Sequence, residues 1–166
     1  MERQSLDFPG SPFPASKEPI VSSIPANSAS AFARSPGSES TLAKLAELGG
    51  RVLLAAIFLI SGLGKIAGYA GTAAYMASVG VPGVLLPLVI ATEVLGAIAI
   101  IAGWQTRIAG FLLAGFTLLS AVIFHSNFAD QIQMIMFLKN LAIAGGFLLL
   151  VARGAGAWSL DRRAGR

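Results

Sequence analysis

The sequence predicts an all-α integral membrane protein: a four-helix up-down-up-down bundle with a disordered N-terminal tail. Three observations predict it. The 166-residue chain carries four apolar stretches, at about 48–66, 84–103, 108–125 and 133–152. Each is close to the ~20 residues that a helix needs to cross the hydrocarbon core. Only 12% of residues are charged and the mean hydropathy is +0.74, too little charge to cover a water-soluble domain of this size. The connections between the stretches are short, which favours antiparallel neighbours. A bilayer admits only helices and closed barrels, and none of the stretches alternates as a barrel strand must.

In chain order, residues 1–40 hold six of the eight prolines and are otherwise rich in Ser and Ala. Such a segment cannot bury enough apolar surface to offset its ordering entropy, so it is expected to be disordered. It has no continuous apolar core of a secretory signal, and Glu2, Asp7, Glu18 and Glu39 argue against a transit peptide. The composition fits an unstructured cytoplasmic tail, or a start codon placed upstream of the true one. The transmembrane domain is expected over 41–163, with Thr41 as N-cap of the helix that feeds the first span. The linker Gly68–Gly83, with Tyr69 and Tyr75, is predicted to form a short helix at the membrane surface. Trp104-Gln105-Thr106-Arg107 reads as a tight interfacial turn, His125–Ile132 as a short connection, and Gly154-Ala155-Gly156 as the stop of the fourth helix.

Basic residues orient the bundle. Lys44, Arg51, Arg107, Arg153, Arg162, Arg163 and Arg166 fall on one side and Lys65 on the other. The positive-inside rule puts the first group, both termini and the Trp104–Arg107 turn in the cytoplasm. Arg51 and Arg107 need no further explanation on this reading. The net charge of +4 belongs to these flanks and does not indicate nucleic acid.

The chain has no cysteine and one histidine. That removes disulfides, thiol nucleophiles, cysteine-ligated clusters and a haem held by two histidines of one chain. One acidic residue, Glu93, lies inside a span, so no carboxylate-rich metal site is expected and no intrinsic cofactor is assigned.

The candidate residues are therefore few. An isolated ionised side chain at the depth of Glu93 costs ~2.5–3.5 kcal/mol on insertion scales, so Glu93 should face the bundle and be paired. Val89, Gly96 and Ala97 share its face. Lys139 in the fourth span lies at a similar depth, and Ala142, Ile143 and Gly146 share its face. A Glu93–Lys139 pair is the expected contact, either fixing helix register or serving function. Lys65 ends the first span, where it either snorkels to the headgroups or lines an outward pocket as a second cation. His125 ends the third span and is either an interfacial hydrogen-bonder or a proton carrier. Together with Asn140 and Ser61, these residues form a polar cluster in one half of the membrane, able to receive a quinone carbonyl or a small anion. No catalytic role is assigned to any of them. Gly110 with Ala114, and Ala142 with Gly146, are small-residue packing faces within the bundle or between copies.

Several local sequences resemble the DoxX family of small four-helix bacterial membrane proteins. They are Arg51, Ser61-Gly62-Leu63-Gly64-Lys65, Tyr75-Met76-Ala77-Ser78-Val79-Gly80-Val81-Pro82, Glu93-Val94-Leu95-Gly96 and Gly103-Trp104-Gln105-Thr106-Arg107. Lys139-Asn140-Leu141-Ala142-Ile143-Ala144-Gly145-Gly146 and Ser159-Leu160-Asp161 complete the series. The resemblance covers about residues 48–163 and rests on their order and spacing. It implies the four-helix fold and placement in the inner membrane of a bacterium, and points to Lys65, Glu93, Lys139 and Asn140. The family's name comes from a subunit of a quinol- or thiosulfate:quinone-oxidising complex, and related members look like membrane partners of oxidative-stress enzymes. The expectation is thus a cofactor-free membrane subunit or scaffold of quinone-linked redox or oxidative-stress complexes. Its partners would be the bilayer, a soluble redox or stress-response protein, and further copies of itself. The alternative is a small-molecule or quinone-binding protein, a carrier or oxidoreductase subunit, that uses the polar cluster.

Overall fold

A computed structural model describes residues 40–165, so the tail expected over 1–40 lies, except for Ser40, outside the described residues. Its elements are α1 (Thr41–Ala67), α2 (Tyr69–Ser78), a 3₁₀ turn (Gly83–Leu85), α3 (Leu86–Ala102), α4 (Thr106–Phe124), α5 (Gln131–Arg153) and α6 (Leu160–Arg163). The described residues contain no strand. Four helical segments, Thr41–Ala67, Gly83–Ala102, Thr106–Phe124 and Gln131–Arg153, are long and apolar enough to cross a membrane.

The helix ends follow local chemistry. Ser40, not Thr41, caps α1: its hydroxyl accepts from the Ala43 N–H at 3.2 Å. The cap stands one residue before the expected one because the Thr41 backbone is already helical. The Asp130 carboxylate caps α5 by accepting from the Ile132 N–H at 2.8 Å. Gly103 ends α3 in the left-handed region at φ 67°, a conformation that costs glycine little.

α1 packs on α3, α3 on α4, and α4 on α5. The core between them is built from Phe58, Ile100, Leu113 and Phe147 with the alanines 55, 97, 114 and 144. Phe58 meets Phe147 edge-on at 5.3 Å between ring centroids. Lipid tails are as apolar as leucine, so helix association depends on close packing at small residues. Several glycines supply it. A Cβ on Gly96 would lie 3.0 Å from Leu113, and one on Gly146 3.0 Å from Leu54. The Gly110–Ala114 face packs within the bundle, with Gly110 against Val151 and the Phe147 carbonyl. The large exposed residues, among them Leu53, Phe111 and Leu119, form the belt that lipid would cover.

α5 corrects an expectation. Its inward side is carried by Asn140, Ile143, Ala144 and Phe147, whereas Lys139 and Ala142 are exposed. Lys139 therefore does not reach Glu93. The stripes through 139 and 140 lie one residue, about 100° of helix, apart. In an almost wholly apolar helix periodicity cannot choose between them. The choice is made by α4, the helix against which α5 packs.

Candidate functional site

The partner of Glu93 is Lys65. Glu93 projects from the middle of α3 toward α1 and is 4% exposed. The Lys65 Nζ donates to both carboxylate oxygens at 3.0 Å and to the Ser61 Oγ at 2.6 Å. The Ser61 hydroxyl in turn reaches Glu93 Oε1 at 3.3 Å. Ser61 and Lys65 stand four residues apart on α1, which puts them on one face. All three ammonium protons are engaged, and the charge of Glu93 is neutralised where an unpaired carboxylate would be costly.

Gly62 makes the pair possible. A Cβ there would sit 2.6 Å from Val94 Cγ2 and 3.2 Å from the Glu93 Cβ. Only a residue without a side chain lets α1 approach α3 at this level. Lys65 does not simply snorkel outward: its side chain is 24% exposed, and it points into a cavity.

That cavity, of about 490 Å³, brings together Lys65, Glu93, Ser61, His125 and Asn140. Of the residues singled out from the sequence, Lys139 alone is left outside. Most of the remaining wall is apolar, from Ile57 and Phe58 of α1, Leu88 and Val89 of α3, Phe116 and Ile123 of α4, and Ile143 of α5. The shape and lining fit the general pattern of a small-molecule site, an apolar cleft of ~300–1,000 Å³ with a few convergent polar groups.

α2 closes one side through Thr72, Tyr75 and Met76. Tyr75 stacks on Phe124 with centroids 5.8 Å apart, tying α2 to the end of α4. The next residue, His125, is held by Gln133: His125 Nδ1 lies 2.7 Å from Gln133 Oε1. With an amide oxygen as partner, Nδ1 is the donor, and in the neutral ring Nε2 is an acceptor. The Asn140 amide donates to the Met136 carbonyl at 3.1 Å, leaving its oxygen free to accept. Tyr75, Thr72, Ser120 and Thr117 were not identifiable as lining residues, because tyrosines at a membrane boundary and hydroxyls within a span have commoner explanations. The tyrosine in the helical linker, one turn from Thr72, was the available signal.

The opposite end corrects the reading of Arg51 as a topological charge. Arg51 is 1% exposed and donates through Nη2 to the Trp158 carbonyl. Asp161 accepts from the Gln105 and Thr106 N–H groups at 2.7 and 2.8 Å, capping α4. The Asp161 N–H donates to the Gly103 carbonyl at 2.8 Å. Glu47 accepts from the Ala157 N–H at 3.1 Å. The stretch after α5 is thereby folded back across the ends of α1, α3 and α4. A Ser followed two residues later by Asp, just past the last span, was the signal for this cap.

Among the described residues, no group of three or more His, Asp or Glu is placed to hold a metal ion.

Comparison with known proteins gives a consistent picture. The model of the family described as DoxX matches residues 46–126. Inner membrane protein YqjF of Escherichia coli (strain K12) is 54% identical over 112 residues, covering 68% of this chain and 86% of that protein. Inner membrane protein YphA of the same organism is 45% identical over 120 residues, with the same two coverages. The Bacillus subtilis (strain 168) protein named "Putative oxidoreductase CatD" is 37% identical over 106 residues, covering 60% of this chain and 78% of its own length. No solved structure matches the chain significantly.

Proposed function

Because this chain belongs to the DoxX family of membrane proteins, we propose that it is an inner-membrane subunit whose Lys65-end cavity binds a quinone for a redox complex. The observation that carries the reading is the cavity itself. A bare scaffold needs only packed helices, whereas this bundle keeps about 490 Å³ open beside the buried Glu93 carboxylate. The groups present suit a quinone. The apolar wall from Phe58, Leu88 and Phe116 accepts the ring and the start of the tail. The polar end offers a cation at Lys65, which can exchange its bond to Ser61 for one to a carbonyl oxygen, and an acceptor at His125 Nε2 for a hydroxyl proton. The Glu93 carboxylate, bonded to Lys65 and Ser61, holds the ammonium in place.

A quinone supplies two-electron redox chemistry when bound. The residues of this chain bind it, orient it and exchange protons with it. With no cysteine and one histidine in the sequence, the electron acceptor or donor resides on a partner protein. The similarity to a protein named as an oxidoreductase supports this class of function. The positive-inside rule, applied to the basic residues clustered at the Arg51 end, supports a cytoplasmic location for that end and with it a cavity in the outer half of the membrane.

The test is extraction of the protein in mild detergent, followed by mass spectrometry of bound lipids and titration with a short-chain benzoquinone. Wild type should retain quinone. Ser120→Phe, which fills the cavity, and His125→Phe, which removes the acceptor, should each weaken binding at least tenfold. Absence of binding at saturating quinone to a folded wild type would sink the proposal and return the scaffold reading.

A further inference from the structure

The Arg51 end holds a second pocket, of about 300 Å³, that quinone binding does not use. Arg107 near the start of α4 and Arg153 at the end of α5 line it together with Thr106. Neither arginine makes an ion pair or hydrogen bond among the described residues. Arg107 lies over the α5 terminus, its Nε and Nη2 3.9 Å from a Cβ built on Gly154. The last carbonyls of a helix favour a cation there, which accounts for the charge but leaves the guanidinium donors unused.

Thr106 supplies an independent observation. It is 0% exposed, and its hydroxyl is buried with no hydrogen-bond partner. Buried hydroxyls are nearly always bonded, so this one points to a group that the protein alone does not provide. The pocket's acids are otherwise occupied. Asp161 accepts from two backbone N–H groups and Glu47 from one. Half-exposed Trp104 and Trp158 put this level of the bundle at the membrane–water boundary.

We propose that this pocket binds a phosphate-type oxyanion through Arg107, Arg153 and the Thr106 hydroxyl. Two planar guanidinium groups match the oxygens of a phosphate, and basic pockets at helix ends on the cytoplasmic side suit anionic lipid headgroups. A lipid phosphate and free inorganic phosphate share this chemistry, and the experiment separates them.

The full-length protein, delipidated in mild detergent, is titrated with dioctanoyl phosphatidic acid and, separately, with inorganic phosphate at constant ionic strength, with thermal stabilisation as the readout. Saturable stabilisation by the lipid alone identifies a headgroup site. Stabilisation by both, with phosphate competing, identifies a site for the free ion. Arg107→Gln and Arg153→Gln should each weaken binding about tenfold, as expected for the loss of a charge-assisted hydrogen bond. Thr106→Val should weaken it several-fold. Arg163→Gln, at the same end but outside the pocket, should change it less than twofold. Arg107→Lys keeps the charge without the fork and should fall between wild type and Arg107→Gln. It also serves if a Gln variant fails to fold. The proposal is overturned if neither ligand binds, or if Arg163→Gln weakens binding as much as the pocket variants, which would mean diffuse attraction.

Discussion

The two ends of the bundle use their polar groups differently. At the Lys65 end, Lys65, Glu93 and Ser61 bond to one another, and the space beside them stays open. At the Arg51 end, the polar groups, from buried Arg51 to exposed Glu47, bond mainly to backbone. Arg51 takes the Trp158 carbonyl, Asp161 the first N–H groups of α4, and Glu47 the Ala157 N–H. Side chains that satisfy each other can be rearranged around a ligand without unfolding anything. Side chains that satisfy backbone hold a turn or helix end in place, and cannot be released without exposing it. The first arrangement suits a site and the second suits a brace. The exposed rim of the brace, where Arg107 and Arg153 have unused donors, is the part left for binding.

The sharpest way to break this contrast is at the ion pair. Lys65→Met leaves the Glu93 carboxylate buried and alone. It should cost about 3 kcal/mol of stability, the range for removing one partner of a buried pair. Glu93→Gln added to it should recover part of that loss. Chemical denaturation in mixed micelles measures the cycle, and strict additivity of the two changes would refute a coupled pair. The same cycle run with Lys139→Met in place of Lys65→Met should be additive.

Close approach is tested next, with one glycine from each end. Gly62→Ala drives a methyl onto Val94 beside the ion pair. Gly103→Ala drives a methyl onto Ser159 and the Arg51 guanidinium and forces an L residue to φ 67°. Each should cost about 2 kcal/mol. Alanine at Gly145, where a Cβ meets nothing within 4 Å, should be neutral or mildly stabilising. If Gly62→Ala matched Gly145→Ala in melting temperature, α1 and α3 would have to be further apart at this level than described.

A smaller effect is expected of Asp161→Asn. The amide still accepts one N–H of α4 but loses the charge, so the cap should weaken by about 1 kcal/mol. Hydrogen exchange should quicken at Gln105 and Thr106 and remain slow at Glu93. Faster exchange at both ends would show the two regions to be one cooperative unit.

The smallest effect is expected of Lys139→Gln. The side chain is exposed and off the packed face, so stability in detergent should change by less than about 0.5 kcal/mol. A large loss would restore Lys139 to the bundle interior.

The sequence by itself determined a great deal of this protein. Long apolar runs with so little charge left no alternative to membrane helices, because a backbone in lipid must satisfy its own hydrogen bonds. Glycines in the linker 68–83 and at Gly154 marked helix ends. The rarity of ionisable residues within the spans made Glu93 and its cationic candidates conspicuous. Tertiary structure decided which of them meet. Depth along a helix axis is legible and favoured Lys139 as the partner of Glu93, but the neighbour across the bundle is not legible. The pairing of α1 with α3, made through Gly62, selected Lys65. A 100° step along α5 turned Asn140 inward and Lys139 out. Arg51 was assigned to topology for the same reason. An arginine near a helix end looks alike whether it meets water or the carbonyl of a residue 107 positions away, and only the folded chain brings that carbonyl to it.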